Sequence, residues 1–287
     1  ASKSTWFFSA GAALLVFIVL KAFVVDVIRV NNVDMRSTYY YGDALLIKKS
    51  FNNYATNDFI YFEYPVKDSS LAKTFVVQRL IGLPGDSIRL NDKNIFINGT
   101  RIETPATIQN NYFVTIKNRA ADSLFHLKYH FEEGGLVSND YDYSFSLTRA
   151  QSDSLVKDTL VKKAEVKKEK PDNYDETCFP GSPHYKWNMD HYGPIYIPRK
   201  HDTLRIDSVS LALYTLLIRV YEGNKLETRH DSILINDQVT NYYVVKQNYY
   251  FVVGDNRDNA NDSRVWGFLP ETSIKGKVIT RIRKSKP

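Results

Sequence analysis

The residues best placed to do chemistry include one dense run, Gly254-Asp255-Asn256-Arg257-Asp258-Asn259-Ala260-Asn261-Asp262-Ser263-Arg264, followed by Trp266-Gly267 and Pro270. Carboxylates and guanidiniums this close together behind a strand pair with one another and fix a hydrogen-bonded corner. Such a corner holds backbone and by itself performs no reaction. Cys178, His184 and His191 offer metal-donor atoms, but their spacing matches no zinc pattern and the nearby prolines read as an ordinary loop. No metal and no cofactor is expected. Cys178 is the single cysteine, which excludes an internal disulfide, and no local signature marks it as a nucleophile. Asn98-Gly99-Thr100 has the form of a glycosylation acceptor and of a tight turn between strands; the turn is the expected use.

A corner of this kind needs strands to carry it. The chain holds 20 Tyr and 16 Phe, and its β-branched and aromatic runs suit strands better than helices. Phe75 to Leu83 predicts a strand closed by the turn Pro84-Gly85-Asp86, with Ser87 to Leu90 and Ile95 to Ile97 following it. Val27 to Val33 reads as a short extended stretch, and Ala44 to Lys48 as a strand after the turn at Gly42-Asp43. Strand character returns from Asn241 and ends with Ile274 to Arg283, so the two ends of the main region are expected to share one sheet. In between, strand signals are only local; the charged run Ser152 to Asp172 reads as exposed and helical, and Leu211 to Tyr221 as the one regular helix. No internal repeat is present.

With 43% hydrophobic and 24% charged residues the chain can bury a real core. The net charge of +6 is scattered, without aromatics among basic residues, so nucleic acid is not an expected partner, whereas an anionic lipid surface is. Trp6 to Leu20 carries no charge, and with Lys21 snorkelling the apolar stretch continues to Val25, reaching the ~20 residues a bilayer requires. No small-x-small cleavage pattern follows, so a retained transmembrane signal-anchor is expected. Lys3 on one side and Lys21 and Arg29 on the other leave orientation undecided by charge.

The run Gly254 to Arg264 resembles the signature of the bacterial type I signal peptidases, typically GDNRDNSxDSRxWG. Gln78-Arg79-Leu80-Ile81-Gly82-Leu83-Pro84-Gly85-Asp86 resembles that family's KRxxGLPGD, and Gly42-Asp43 its downstream GD. The resemblance thins in the middle to Trp187-Asn188-Met189-Asp190 and Gly193-Pro194-Ile195-Tyr196-Ile197-Pro198, similar to longer members. It implies a mostly β fold: an anchor helix over 1–25, an antiparallel core of 26–98 plus 241–287, and a second domain inserted at 99–240, with the charged segment at 152–172. It also implies a single-pass protein of the bacterial cytoplasmic membrane with its main domain on the outer, periplasmic side. The shared motif residues Met35, Thr38, Gly42, Asp43, Arg79, Gly82, Pro84, Gly85, Asp86, Gly254, Asp255, Asn256, Arg257, Asp258, Asp262, Ser263 and Arg264 are then structural.

In this family the anchor leads into a segment resembling PSxSMxPTL, whose second Ser is the nucleophile, and the Lys opening KRxxGLPGD is the general base. Met35, Thr38 and Gly42-Asp43 fix the alignment, which puts Asp34 at the nucleophile, Gln78 at the base and Ala260 at the Ser that helps to orient the lysine. A hydroxyl attacks an amide only when a base takes its proton, as a desolvated amine can and a carboxamide cannot. Losing one member of such a unit can cost on the order of 10⁶ in turnover, which closes the family's route unless other groups replace it. Ser37 stands three residues after Asp34, and in an extended segment an odd step points it to the opposite face. Lys73 is likewise an odd step from Gln78, and Arg79 stays protonated. An aspartic-protease role for Asp34 needs a second carboxylate sharing a proton with it. The expected use of Asp34 is to accept a hydrogen bond from the Gln78 amide.

These readings imply a signal peptidase homologue without catalysis, a pseudoprotease serving as a binding or scaffold subunit in protein export. Its expected partners are the bilayer, an active signal peptidase, the secretion translocon, or exported polypeptide held as an added strand. The alternative is an active divergent signal peptidase that cleaves preproteins with relocated groups. A deliberate inactivation would change one residue, whereas Asp34, Arg36, Ser37, Gln78 and Ala260 all depart from the pattern.

Overall fold

The computed structural model describes residues 9–15, 18, 21, 23–49, 53–65, 74–138, 141–230 and 232–285. Four strands open the chain: β1 (Val25–Arg29), β2 (Ala44–Lys48), β3 (Phe59–Glu63) and β4 (Phe75–Gly82). A meander of β5 (Ser87–Asn91), β6 (Asn94–Ile97) and β7 (Thr100–Arg101) follows. Next come β8 (Gln109–Ile116), β9 (Gly134–Ser138), β10 (Asp142–Thr148) and β11 (Val161–Val166). Short strands β12 (Tyr192–Tyr196), β13 (Thr203–Arg205), β14 (Leu226–Arg229), β15 (Ser232–Ile235), β16 (Gln238–Val239) and β17 (Tyr242–Val244) lead to β18 (Tyr249–Val253), β19 (Leu269–Pro270) and β20 (Ile274–Arg283).

The strands of the largest sheet run in the order β1-β2-β20-β3-β4-β18-β19, and its ladders are antiparallel. The two ends of the chain therefore do meet in one sheet, Leu46 opposite Thr280 and Lys48 opposite Lys277. The pattern of burial explains the order. β2 and β3 bury every second residue, as strands with one covered face do. β4 and β18 are buried almost throughout, which suits the apolar runs FVVQRLIG and YYFVV to interior positions. Two polar residues, Gln78 and Arg79, are thereby carried into the interior on β4 and must be partnered there.

Gly42 has φ +86, a left-handed value that a side chain disfavours, and it turns the chain into β2. The next residue, Asp43, is fully buried and accepts from Tyr40 N at 3.0 Å, Arg281 Nη1 at 2.9 Å and Ser285 N at 2.7 Å. It ties that turn to the far end of β20. Asp86 does the same for its own turn, accepting from Leu83 N and Asn98 Nδ2, each at 2.8 Å.

Two sequence readings of the middle region are corrected. The charged run 152–172 is not one helix: its start ends the helix Arg149–Val156, and VKKAEV forms β11. β11 joins a sheet ordered β11-β8-β10-β9, so strands are more prominent here than local signals suggested. Leu211 to Tyr221 is helical, as Leu211–Leu216 passing into a wider turn at Leu217–Tyr221, but it is not alone. Arg119–Lys128 is a second helix, capped by the Asn118 side chain and burying Phe125 against Val114, Phe145 and Leu147. Thr148 and Gln151 form a reciprocal cap on the third.

β12 pairs with β5, and a single apolar cluster joins Ile88 and Ile195 with Tyr249, Phe251 and Phe268. Among the described residues no helix is long and apolar enough to cross a membrane. The span expected over Trp6 to Val25 falls in good part on residues outside that description.

Candidate functional site

Asp34 stands in a run of turns, Val33 to Tyr40, held by Arg36 N to Val33 O and Thr38 N to Met35 O, both at 3.0 Å. Met35 fixes the run from below, fully buried with Val30, Leu45, Ile47 and Val77. The Thr38 hydroxyl donates to Asp255 Oδ2, which fastens the turn to the loop after β18. That loop answers through backbone, Asn256 N donating to Asp34 O at 2.9 Å.

Gln78 reaches the same point from β4. Its Nε2 donates to Asp34 Oδ2 at 2.7 Å and to Asn261 O at 2.9 Å, while its Oε1 is buried without a partner among the described residues. Asn32 Nδ2 donates to Asp34 Oδ2 at 3.1 Å, and Asn261 N to Oδ1 at 3.4 Å. Ala260 closes the cluster. A Cβ placed on Gly254 would lie 2.6 Å from Asp34 O and closer still to the Ala260 methyl, so only glycine lets these two residues approach. The structure therefore brings together Asp34, Gln78 and Ala260, which are distant in sequence.

The charged loop pairs as the sequence anticipates. Arg79 forks onto Asp255, Nε to Oδ1 at 2.7 Å and Nη2 to Oδ2 at 2.6 Å, with both residues buried. Arg264 forks onto Asp262 at 3.0 and 2.7 Å and also donates to Arg257 O at 2.6 Å. Asp262 Oδ2 accepts from Gly254 N, and Ser263 Oγ accepts from Val252 N, each at 3.0 Å. Asp258 receives Lys93 Nζ at 2.5 Å, which Asp190 shares at 2.6 Å. Asn256 is gripped by Ser146 Oγ at 2.8 Å and donates to Glu133 Oε2 at 2.8 Å.

Several of these partners escaped the sequence. Asn261 stands inside the run Gly254 to Arg264 and Asn32 two residues before Asp34, and that position was their only signal. Glu133, Ser146 and Lys93 come from distant segments with no motif of their own, and Asp190 ends the stretch Trp187 to Asp190, whose resemblance assigned it no partner.

Burial raises the Asp34 carboxyl to about 6, and the nearby Asp262 charge adds to the rise, against the Gln78 hydrogen bond and the Asn261 backbone bond that lower it. Such a group holds or yields a proton near neutral pH. It has no activated hydroxyl to serve on its own turn: Ser37 donates to Thr107 O and Thr38 to Asp255. Ser37 stands in a turn, at φ +76, and not in the extended segment expected from the sequence, and its hydroxyl is directed elsewhere for that reason. Lys73 lies outside the described residues. Asp262 is near enough to act on Asp34, yet its oxygens are taken by Arg264 and Gly254 N, and no hydrogen bond joins the two carboxylates among the described residues.

Among the described residues no three or more His, Cys, Asp or Glu are grouped to hold a metal. Cys178 is buried, its thiol pushed up to about 12 by burial with Asp175 beside it, and His191 Nε2 lies 3.2 Å from Glu169 O.

The fold and this loop can be set beside known proteins. A "Signal peptidase I" of Aquifex aeolicus is 63% identical over 37 residues, 13% of this chain and 14% of that protein. A "Signal peptidase I" of Buchnera aphidicola subsp. Baizongia pistaciae is 22% identical over 282 residues, 93% of this chain and 72% of its own length. A solved signal peptidase I from Enterococcus faecalis aligns at 17% identity with a TM-score of 0.28, over 80% of this chain and all of that one. The family described as signal peptidase, peptidase S26, matches residues 3–166 and 196–282, and this chain belongs to it.

Proposed function

We propose that this chain is a non-cleaving, membrane-anchored member of its family that holds an exported polypeptide, or a partner of the export machinery, without hydrolysing it. The observation that supports this most directly is the buried contact between Asp34 Oδ2 and Gln78 Nε2 at 2.7 Å. A carboxylate and a carboxamide occupy the two positions where a hydroxyl and an amine would be needed, and a carboxamide takes no proton at working pH.

A place for an extended segment accompanies the silent pair. β4 is paired with β3 from Phe75 to Arg79, but on its other side β18 covers it only from Arg79 to Gly82. Beyond Val253 the chain turns into the charged loop, so Phe75 to Gln78 has no sheet partner on that side among the described residues. A half-open strand of this kind accepts an added strand through its backbone.

The test is cleavage of a standard preprotein by the full chain in detergent, with crosslinking of the same preprotein to a photoreactive group placed at position 75, which is partly exposed. Capture without cleavage supports the reading. Turnover by the natural chain that disappears on Ser37→Ala overturns it in favour of a divergent peptidase.

A further inference from the structure

The loop Gly254 to Arg264 does not balance its charges internally. Asp255 is taken by Arg79, Asp258 by Lys93 and Asp262 by Arg264. Arg257, in their midst, is left without a carboxylate. Its residue surface is only 5% exposed, its Nε is buried with no hydrogen-bond partner, and the guanidinium makes no ion pair among the described residues. Burial and the neighbouring Arg264 charge pull its pKa down to about 10. A buried guanidinium in this condition is stabilised by any anion that reaches it.

A route to it exists. Arg257 lines a cleft of about 570 Å³, within the range of pockets that hold small ligands. None of Asp34, Gln78 and Ala260 lines this cleft. Its walls are apolar where Ile102, Pro105, Ile108 and Val156 face it. A second buried polar atom belongs to a residue lining the same cleft: Asn110 Oδ1 has no partner among the described residues either. The cleft thus lacks two complementary things, an acceptor pair for a planar guanidinium and a donor for a carbonyl oxygen.

We propose that this cleft binds the C-terminal carboxylate of a short peptide, the carboxylate on Arg257 and a peptide N–H of the same ligand on Asn110 Oδ1. A planar carboxylate matches the guanidinium fork. Inorganic phosphate satisfies the cation but sets its oxygens against Asn110 Oδ1, and a neutral amide satisfies Asn110 but not the cation. The apolar walls receive small side chains next to the terminus.

The experiment is calorimetric titration of the full chain in detergent with N-acetyl-dialanine, its C-terminal amide, and inorganic phosphate. The acid is expected to bind saturably at millimolar concentration or below, at least ~10-fold tighter than the amide or phosphate. Arg257→Gln is expected to weaken the acid by ~10-fold or more. Because Arg257 is buried, Ala106→Trp serves as the second variant: Ala106 is exposed and lines the cleft, and an indole there is expected to obstruct it while the loop's own residues stay unchanged. It should abolish binding while the melting temperature stays put. Equal binding of acid and amide, tighter binding of phosphate, unchanged binding in folded Arg257→Gln or Ala106→Trp, or no saturable binding of the acid overturns the proposal.

Discussion

Gln78 Nε2 lies 2.7 Å from Asp34 Oδ2, and each side chain enters from a different part of the fold, one from β4 and one from the turn before β2. The sum of their lengths matters. Lys is one bond longer than Gln in reach, and Ser one bond shorter than Asp. Exchanging the pair as Asp34→Ser and Gln78→Lys therefore keeps the gap between the reacting atoms while supplying a hydroxyl and an amine.

The double variant is accordingly expected to cleave a preprotein that the natural chain leaves intact, and Ala260→Ser to raise its rate further. Single exchanges should remain silent, since a nucleophile without its base loses on the order of 10⁶ in turnover. The check is product formation on gels over a time course for the five proteins.

Stability should depend on pH through Asp34. The folded carboxyl keeps its proton to about pH 6, whereas the unfolded one releases it near 3.8. Between those values the folded state binds more protons, so this contribution is complete below pH 3.8 and is lost as pH rises through 6. The whole effect is on the order of 3 kcal/mol. Asp34→Asn, which never ionises, should be more stable than the natural chain at pH 7 and lose that advantage near pH 4. Denaturant melts at the two pH values read it directly.

Asp255→Asn should be severe. It leaves the buried Arg79 guanidinium, stacked 4.5 Å from the Phe59 ring, without its counter-charge. Removing one partner of a buried pair costs about 3–5 kcal/mol, or a fall in Tm of about 10 °C for a chain of this size. Thermal unfolding by circular dichroism measures it; Arg79→Lys with Asp255 intact should cost less, because the charge pair is kept, but still something, because an ammonium cannot fork.

Gly254→Ala should cost about 1–3 kcal/mol by forcing a methyl against the Asp34 carbonyl and the Ala260 methyl. Gly135→Ala is the control: nothing lies within 4 Å of the added carbon, and its effect should stay within about 0.5 kcal/mol.

Much of the core could be read from residue order alone. β20 was anticipated at Ile274 to Arg283, β2 at Ala44 to Lys48, and the pairing of the chain's two ends follows from where strand character fades and returns. The contact of Asp34 with Gln78 was expected because the motif alignment set them opposite each other. β11 was missed because its outward residues are Lys and Glu: one face of VKKAEV meets water, and charge there hid a strand alternation. Ser37 was judged by strand geometry in a segment that is a turn. Lys93 between Asp190 and Asp258, and Glu133 on Asn256, join parts of the chain whose separation no local pattern encodes.

The place of β20 within the large sheet governs how the molecule can be made. β20 lies between β2 and β3, contributing a ladder to each. A chain emerging from its N terminus can assemble β1 on β2 and β3 on β4, but these remain two separate halves with open edges facing each other. β20 is the keystone, so the two halves become one sheet only after this ten-residue strand has inserted between β2 and β3.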